Sequence, residues 1–176
     1  MRVIQRVRRV AAVALAALVA VVALPAGPAR AWTWQYRVVV FQSSLYCIKA
    51  DAGIDHWQPG VFSGNLAYVN TYVFMGDCVT VRVLEARVSL QVQKFDEATG
   101  KWRTCKSSDY VYGMTGSDVW GPYGPGTAVN YGGSACGPGA GWYRTKARAE
   151  IRNPFVIGNP DVWMGGAAYS GEEWVP

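Results

Sequence analysis

Tyr143-Arg144-Thr145-Lys146-Ala147-Arg148-Ala149-Glu150-Ile151-Arg152 decides the fold. Tyr143, Thr145, Ala147, Ala149 and Ile151 fall on one parity, and Arg144, Lys146, Arg148, Glu150 and Arg152 on the other. A strand sends successive side chains to opposite sides, whereas a helix repeats every 3.6 residues. The stretch therefore predicts a strand with one face in a core and one in solvent, the arrangement of an antiparallel sheet.

Upstream, Leu84, Ala86, Val88, Leu90 and Val92 alternate with Glu85, Arg87, Ser89, Gln91 and Gln93. Val79, Val81 and Val83 precede them on the opposite parity. A parity change within one strand predicts a β-bulge near Val83–Leu84. Asp96 to Gly100 reads as a turn, because Gly100 can take the left-handed conformation that short hairpins need. Lys101 to Cys105 should then return beside the preceding strand, with Trp102 near Phe95. Trp34 to Phe41 is a further β-rich run. Many short strands, Gly/Pro turns and no helical periodicity in the body predict an all-β, antiparallel β-sandwich, immunoglobulin-like or similar. Twenty-three aromatic residues can fill the space between two sheets.

Residues 113–141 break the alternation. Ten of these 29 residues are Gly and three are Pro, and Trp120, Tyr123 and Tyr131 sit among them. This composition predicts a long ordered loop within a single domain spanning 32–176. Long loops in compact domains are often functional. Exposed Trp and Tyr can stack on sugar rings or anchor a protein partner. The alternative is that they cap the core.

Residues 1–31 have the layout of a cleaved signal peptide. Arg2, Arg6, Arg8 and Arg9 precede an unbroken Val/Ala/Leu run from Val10 to Leu24, and Ala29-Arg30-Ala31 stands just before Trp32. The 15-residue apolar run is shorter than the roughly 20 residues that span a bilayer. The expectation is a secreted, extracellular protein with no stable membrane insertion after cleavage. The whole chain carries 17 basic and 12 acidic residues, but five of the arginines lie in residues 1–31. The remainder is neutral, which argues against a nucleic-acid partner, since that needs a basic surface.

Cys47, Cys78, Cys105 and Cys136 make an even set in an exported chain, which predicts two disulfides. Three pairings are open. Joining sequence neighbours gives Cys47–Cys78 and Cys105–Cys136, each closing 31 positions. Each such closure stabilises by about 3–4 kcal/mol in the chain-entropy model.

These features resemble the small exported, disulfide-containing β-sandwich proteins of actinobacteria. The likeness rests on the export signal, the strand–turn–strand from Phe95 through Gly100-Lys101-Trp102-Arg103-Thr104-Cys105, and Cys136-Gly137-Pro138-Gly139 followed by Gly141-Trp142-Tyr143-Arg144-Thr145. Trp163-Met164-Gly165-Gly166 and Ser170-Gly171 complete it. The resemblance implies a fold and a Cys105–Cys136 bond. It carries over no catalytic residue.

Reaction chemistry is sparse. His56 is the only histidine, in a turn-like His56-Trp57-Gln58-Pro59-Gly60. Ser-His-Asp and Cys-His arrangements need a histidine base, and zinc sites need clustered Cys and His. No phosphate loop and no cofactor are implied. Two facing carboxylates can hydrolyse a glycoside, and Asp51, Glu85, Glu150, Glu172 and Glu173 are the candidates. Cross-strand pairing with Arg and Lys accounts for Glu85 and Glu150 equally well. The basic row Arg144, Lys146, Arg148 and Arg152 would stand about 7 Å apart along one strand face. It offers a track for an anionic cell-wall polymer, or else a solvated face paired to carboxylates such as Glu85. The sequence thus favours a non-enzymatic secreted protein that binds a glycan or cell-wall polymer. The alternatives are a protein-directed inhibitor or competition factor presenting the disulfide-framed loop 106–135, and a small hydrolase.

Overall fold

The computed structural model describes residues 32–55, 66–131, 140–153 and 162–175. The signal-like segment, His56 and Cys136 lie outside the described residues. Twelve strands and no helix occur among the described residues. They are β1 (Trp32–Gln42), β2 (Tyr46–Asp55), β3 (Leu66–Met75), β4 (Glu85–Asp96), β5 (Lys101–Ser107), β6 (Val111–Met114), β7 (Gly116–Asp118), β8 (Gly121–Tyr123), β9 (Gly126–Asn130), β10 (Gly141–Arg152), β11 (Trp163–Tyr169) and β12 (Glu173–Val175).

All pairings of these strands are antiparallel. One sheet has the order β1-β2-β3-β9. A second has the order β11-β10-β4-β5, with β12 also on β10 and β6 also on β4. The strands β7 and β8 form a hairpin of their own.

The deciding stretch is β10, and its alternation holds. Tyr143, Thr145, Ala147, Ala149 and Ile151 are buried. The strand is flanked on both sides, by β4 from Tyr143↔Lys94 to Ile151↔Ala86 and by β11 from Lys146↔Tyr169 to Arg152↔Trp163. On β4, Ala86, Val88, Leu90 and Val92 face inward as the alternation requires. They share one hydrophobic cluster with Ile48, Ala50, Ala52 and Ile54 of β2 and with Ala67, Val69 and Val73 of β3. Polar bonds also join the sheets, among them a buried one in which the Thr145 hydroxyl donates to the Gly53 carbonyl at 2.8 Å.

The β4–β5 hairpin forms as expected. Phe95 pairs with Trp102, their ring centroids 5.3 Å apart, and Gly100 takes φ +65°. The Gly100 N–H donates to the Asp96 carbonyl at 2.8 Å.

Three expectations are corrected. The parity change at Val83–Leu84 is a crossover, not a bulge. Cys78 is bonded to Cys47 of β2, and Val81 forms a single bridge to Phe74 of β3. The chain then leaves that sheet and enters β4 at Glu85, with Val79 and Val83 exposed. Thr115 secures the passage, its hydroxyl donating to the Arg82 carbonyl at 2.7 Å and accepting the Leu84 N–H at 3.1 Å. The bulge in β4 and β5 lies instead at Val92/Gln93, opposite Cys105. Val92 faces the core, and Gln93, on the outer face, is buried beside Arg144, which donates to its side chain at 2.9 Å. β1 carries two further irregularities, between Gln35 and Val38 and between Val39 and Phe41.

Secondly, the described part of 113–141 is mostly ladder. The chain from Val111 to Asn130 folds into β6, β7, β8 and β9. Glycine and proline limit each ladder to a few residues but do not abolish it. Thirdly, Tyr131 is no surface residue. It is 2% exposed, packs against Tyr143 at 5.5 Å between ring centroids, and donates its hydroxyl to the Asp55 carbonyl at 3.1 Å.

Candidate functional site

The face of the six-stranded sheet turned away from the core carries a row of charged side chains. β10 contributes Arg144, Lys146, Arg148, Glu150 and Arg152. Its neighbour β11 places Ala167 opposite Arg148 and Gly165 opposite Glu150.

Glu150 departs from the expected solvated face, because it is 3% exposed. Its two oxygens accept from Arg87 Nε and Arg148 Nε, each at 2.7 Å. Arg87 lies directly across the ladder from it. The Arg87 guanidinium also stacks on Tyr110 at 4.1 Å and on Trp163 at 4.3 Å. Farther along, Arg144 donates to Gln93 Oε1 at 2.9 Å and is sandwiched against Trp102 at 4.2 Å and Tyr169 at 4.5 Å. Arg152 pairs with Glu85 at 2.8 Å, as the cross-strand reading of these carboxylates expects. Lys146, half-buried between the two arginine–aromatic stacks, makes no ion pair among the described residues.

A pocket of about 290 Å³ opens beside Lys146, near the lower end of ligand-site volumes. Its origin is a gap in pairing. β5 pairs with β4 over Gln91–Asp96 and β6 over Glu85–Val88, which leaves Ser89 and Leu90 without a strand partner on that edge. Ser108 bridges the gap. Its N–H donates to the Leu90 carbonyl and its hydroxyl accepts the Leu90 N–H, both at 3.0 Å. Ser89, Gln91, Lys146 and Arg148 line one side of the pocket, and Ser107, Ser108, Asp109 and Tyr110 the other. Hydroxyls, one amide, one carboxylate and two cations thus converge. Such a set can bind a polyhydroxylated or anionic group. It contains no nucleophile with an adjacent base, and no metal-holding group of His, Cys, Asp and Glu occurs among the described residues.

The predicted candidates are therefore split. Arg144, Lys146 and Arg148 share this face, with only the latter two at the pocket. Trp120 is 92% exposed at the tip of the β7–β8 hairpin, where Val119-Trp120 is the two-residue connection. Asp118 fixes that turn by accepting the Trp120 N–H at 2.8 Å, and Gly121 supplies the φ of +115° that completes it. Tyr123 is half exposed and lies across from Gly116, while Tyr131 belongs to the core. Cys47–Cys78 is present as expected. Glu173 is buried, with the Thr33 hydroxyl donating to it at 3.5 Å.

Sequence reasoning missed Tyr110, Trp163 and Tyr169. Trp163 and Tyr169 do fall on one parity of β11, so the signal existed. The serines of 107–108 carry no pattern that would single them out.

No protein-family model, curated protein or solved structure matches this chain.

Proposed function

We propose that this chain is an exported, non-enzymatic binding protein whose six-stranded face takes an anionic glycan or cell-wall polymer. The observation that carries this reading is Lys146: a cation with no ion-pair partner among the described residues, beside Arg148, at a hydroxyl-lined pocket. Arg87, Arg144, Lys146 and Arg148 outnumber Glu150 and Asp109 there, so the local surface is cationic although residues 32–176 are neutral.

The wider setting belongs to the same proposal. The two sheets form a β-sandwich, supported by their shared core and the Thr145–Gly53 bond. Residues 1–31 are a signal peptide cleaved before Trp32, where β1 begins. Cys105 pairs with Cys136, and the protein belongs with the small exported β-sandwich proteins of actinobacteria. Mass spectrometry of secreted protein, with peptide mapping under non-reducing conditions, tests the cleavage site and the second disulfide together.

Calorimetric titration with a glycerol-phosphate oligomer tests the binding. The oligomer should bind, lose affinity as salt rises, and bind at least tenfold more weakly to Lys146→Ala. No binding, affinity that ignores salt, or an unaffected Lys146→Ala would overturn the reading.

A protein-directed role is the second reading, and the Val119-Trp120 tip favours it. A fully exposed Trp on a rigid turn has the geometry of an interface hot spot. The small-hydrolase alternative has less support, because Glu85 and Glu150 are each held by arginine.

A further inference from the structure

The four-stranded sheet carries a second unassigned surface, independent of the Lys146 pocket. Its centre is Asp51, on the face of β2 opposite Ala50 and Ala52. Asp51 is 1% exposed and fully engaged: one oxygen accepts the Arg37 backbone N–H at 2.7 Å and the other the Tyr72 hydroxyl at 2.6 Å. The Tyr72 phenol is held in its protonated form by burial and by this bond.

Arg37 is the informative residue. It sits in the first irregularity of β1 with φ +49°, a conformation that L side chains rarely adopt. That backbone aims its N–H at Asp51 and swings the guanidinium over the Tyr36 and Tyr72 rings, 4.7 and 5.3 Å from their centroids. Its buried Nε has no acceptor. A backbone outlier that holds a partly exposed arginine over two aromatic rings is the kind of local strain that clusters at ligand sites.

Aromatic surface adjoins the fork. Tyr36 is 60% exposed, and Trp34 is also exposed. Trp34 meets Tyr68 at 4.5 Å between ring centroids, over Gly53. Only glycine permits this, since a Cβ at position 53 would enter the Tyr68 ring. Trp34 and Tyr36, two residues apart, stand about 7 Å apart along β1. Lys49 and Asp55 share this face of β2 with Asp51, so with Arg37 the face balances in charge, unlike the cationic six-stranded face.

We infer that this face binds an uncharged saccharide chain, its pyranose faces stacked on Trp34 and Tyr36 and its hydroxyls held by the Arg37 guanidinium. Aromatic faces beside planar polar groups suit a ring that is apolar on its faces and polar at its edge. Charge neutrality selects against the anionic polymer proposed for the other sheet.

Calorimetric titration with cellohexaose and chitohexaose, both uncharged, is the test. At least one should bind, and Tyr36→Ala and Arg37→Ala should each weaken it tenfold or more. Lys146→Ala should leave it unchanged. Tyr36→Ala removes an exposed ring, so its thermal melt should match the parent and keep the test valid if Arg37→Ala fails to fold. Absence of binding by both sugars would overturn the inference. So would affinity that survives Tyr36→Ala or depends on Lys146. Because the glycerol-phosphate titration reports on Lys146 alone, failure of either site is visible separately.

Discussion

The Thr145 hydroxyl reaches the carbonyl of Gly53 at 2.8 Å, a buried bond between strands of different sheets, 92 residues apart in sequence. Around it, the Thr145 N–H donates to Ser170 Oγ at 2.8 Å and the Thr145 carbonyl accepts the Ser170 N–H at 2.9 Å. Thr145→Val keeps the shape and removes the donor. The Gly53 carbonyl would be left buried without this partner, at a cost of about 1–3 kcal/mol. Urea denaturation should show that loss, with an unchanged slope. A neutral substitution would mean that water replaces the hydroxyl.

Glu150 and Glu85 make the same kind of contact in different surroundings. Glu150 is buried and serves Arg87 and Arg148, whereas the Glu85–Arg152 pair is exposed. Glu150→Ala should cost about 3–5 kcal/mol, because it strands arginine charge in a partly dry site. Arg152→Ala should cost about 0–1 kcal/mol. Chemical denaturation of both variants gives the ranking, and the reverse order would contradict the burial assigned to Glu150.

The Tyr131 phenol should make stability depend on alkaline pH. Burial, then the negative charges of Glu173 and Asp55, raise its pKa above the ordinary value of 10.0. The folded state therefore keeps the proton that the unfolded chain surrenders. The sign is fixed: the contribution is intact below about pH 10 and is lost as pH rises beyond it. The urea midpoint should fall above pH 10, and Tyr131→Phe should flatten that fall. Tyr72 acts in the same direction, through burial and Asp51, so some slope should remain.

Trp120→Ala should leave stability within about 0.5 kcal/mol of the parent, since the side chain is almost wholly in solvent. A thermal melt checks this. A larger loss would show that the indole packs against the molecule.

The sequence made β10, the inner face of β4 and the β4–β5 hairpin legible because two-residue periodicity records a single buried face. It misled at Val79–Val83, where alternation continued across a change of sheet. Periodicity reports which side of a strand is apolar but not which sheet the strand has joined. The glycine-rich stretch was harder for a related reason. Three- to five-residue ladders are too short to display a period, so β6 to β9 read as loop. Of the site, the basic residues of β10 were visible. The pocket was not, because it arises from a gap between β5 and β6 that no local pattern encodes. Arg37 was equally hidden, since its role depends on a backbone angle and on strands paired across the chain.

The paired irregularities of β1 have a consequence for how copies of the protein meet. β1 is an edge of its sheet, and a regular edge offers a row of N–H and C=O groups to any passing strand. Two register shifts within eleven residues break that row. A second molecule cannot extend the sheet across β1 without first straightening it. The same distortion that positions Arg37 thus guards an aromatic-rich edge against self-association.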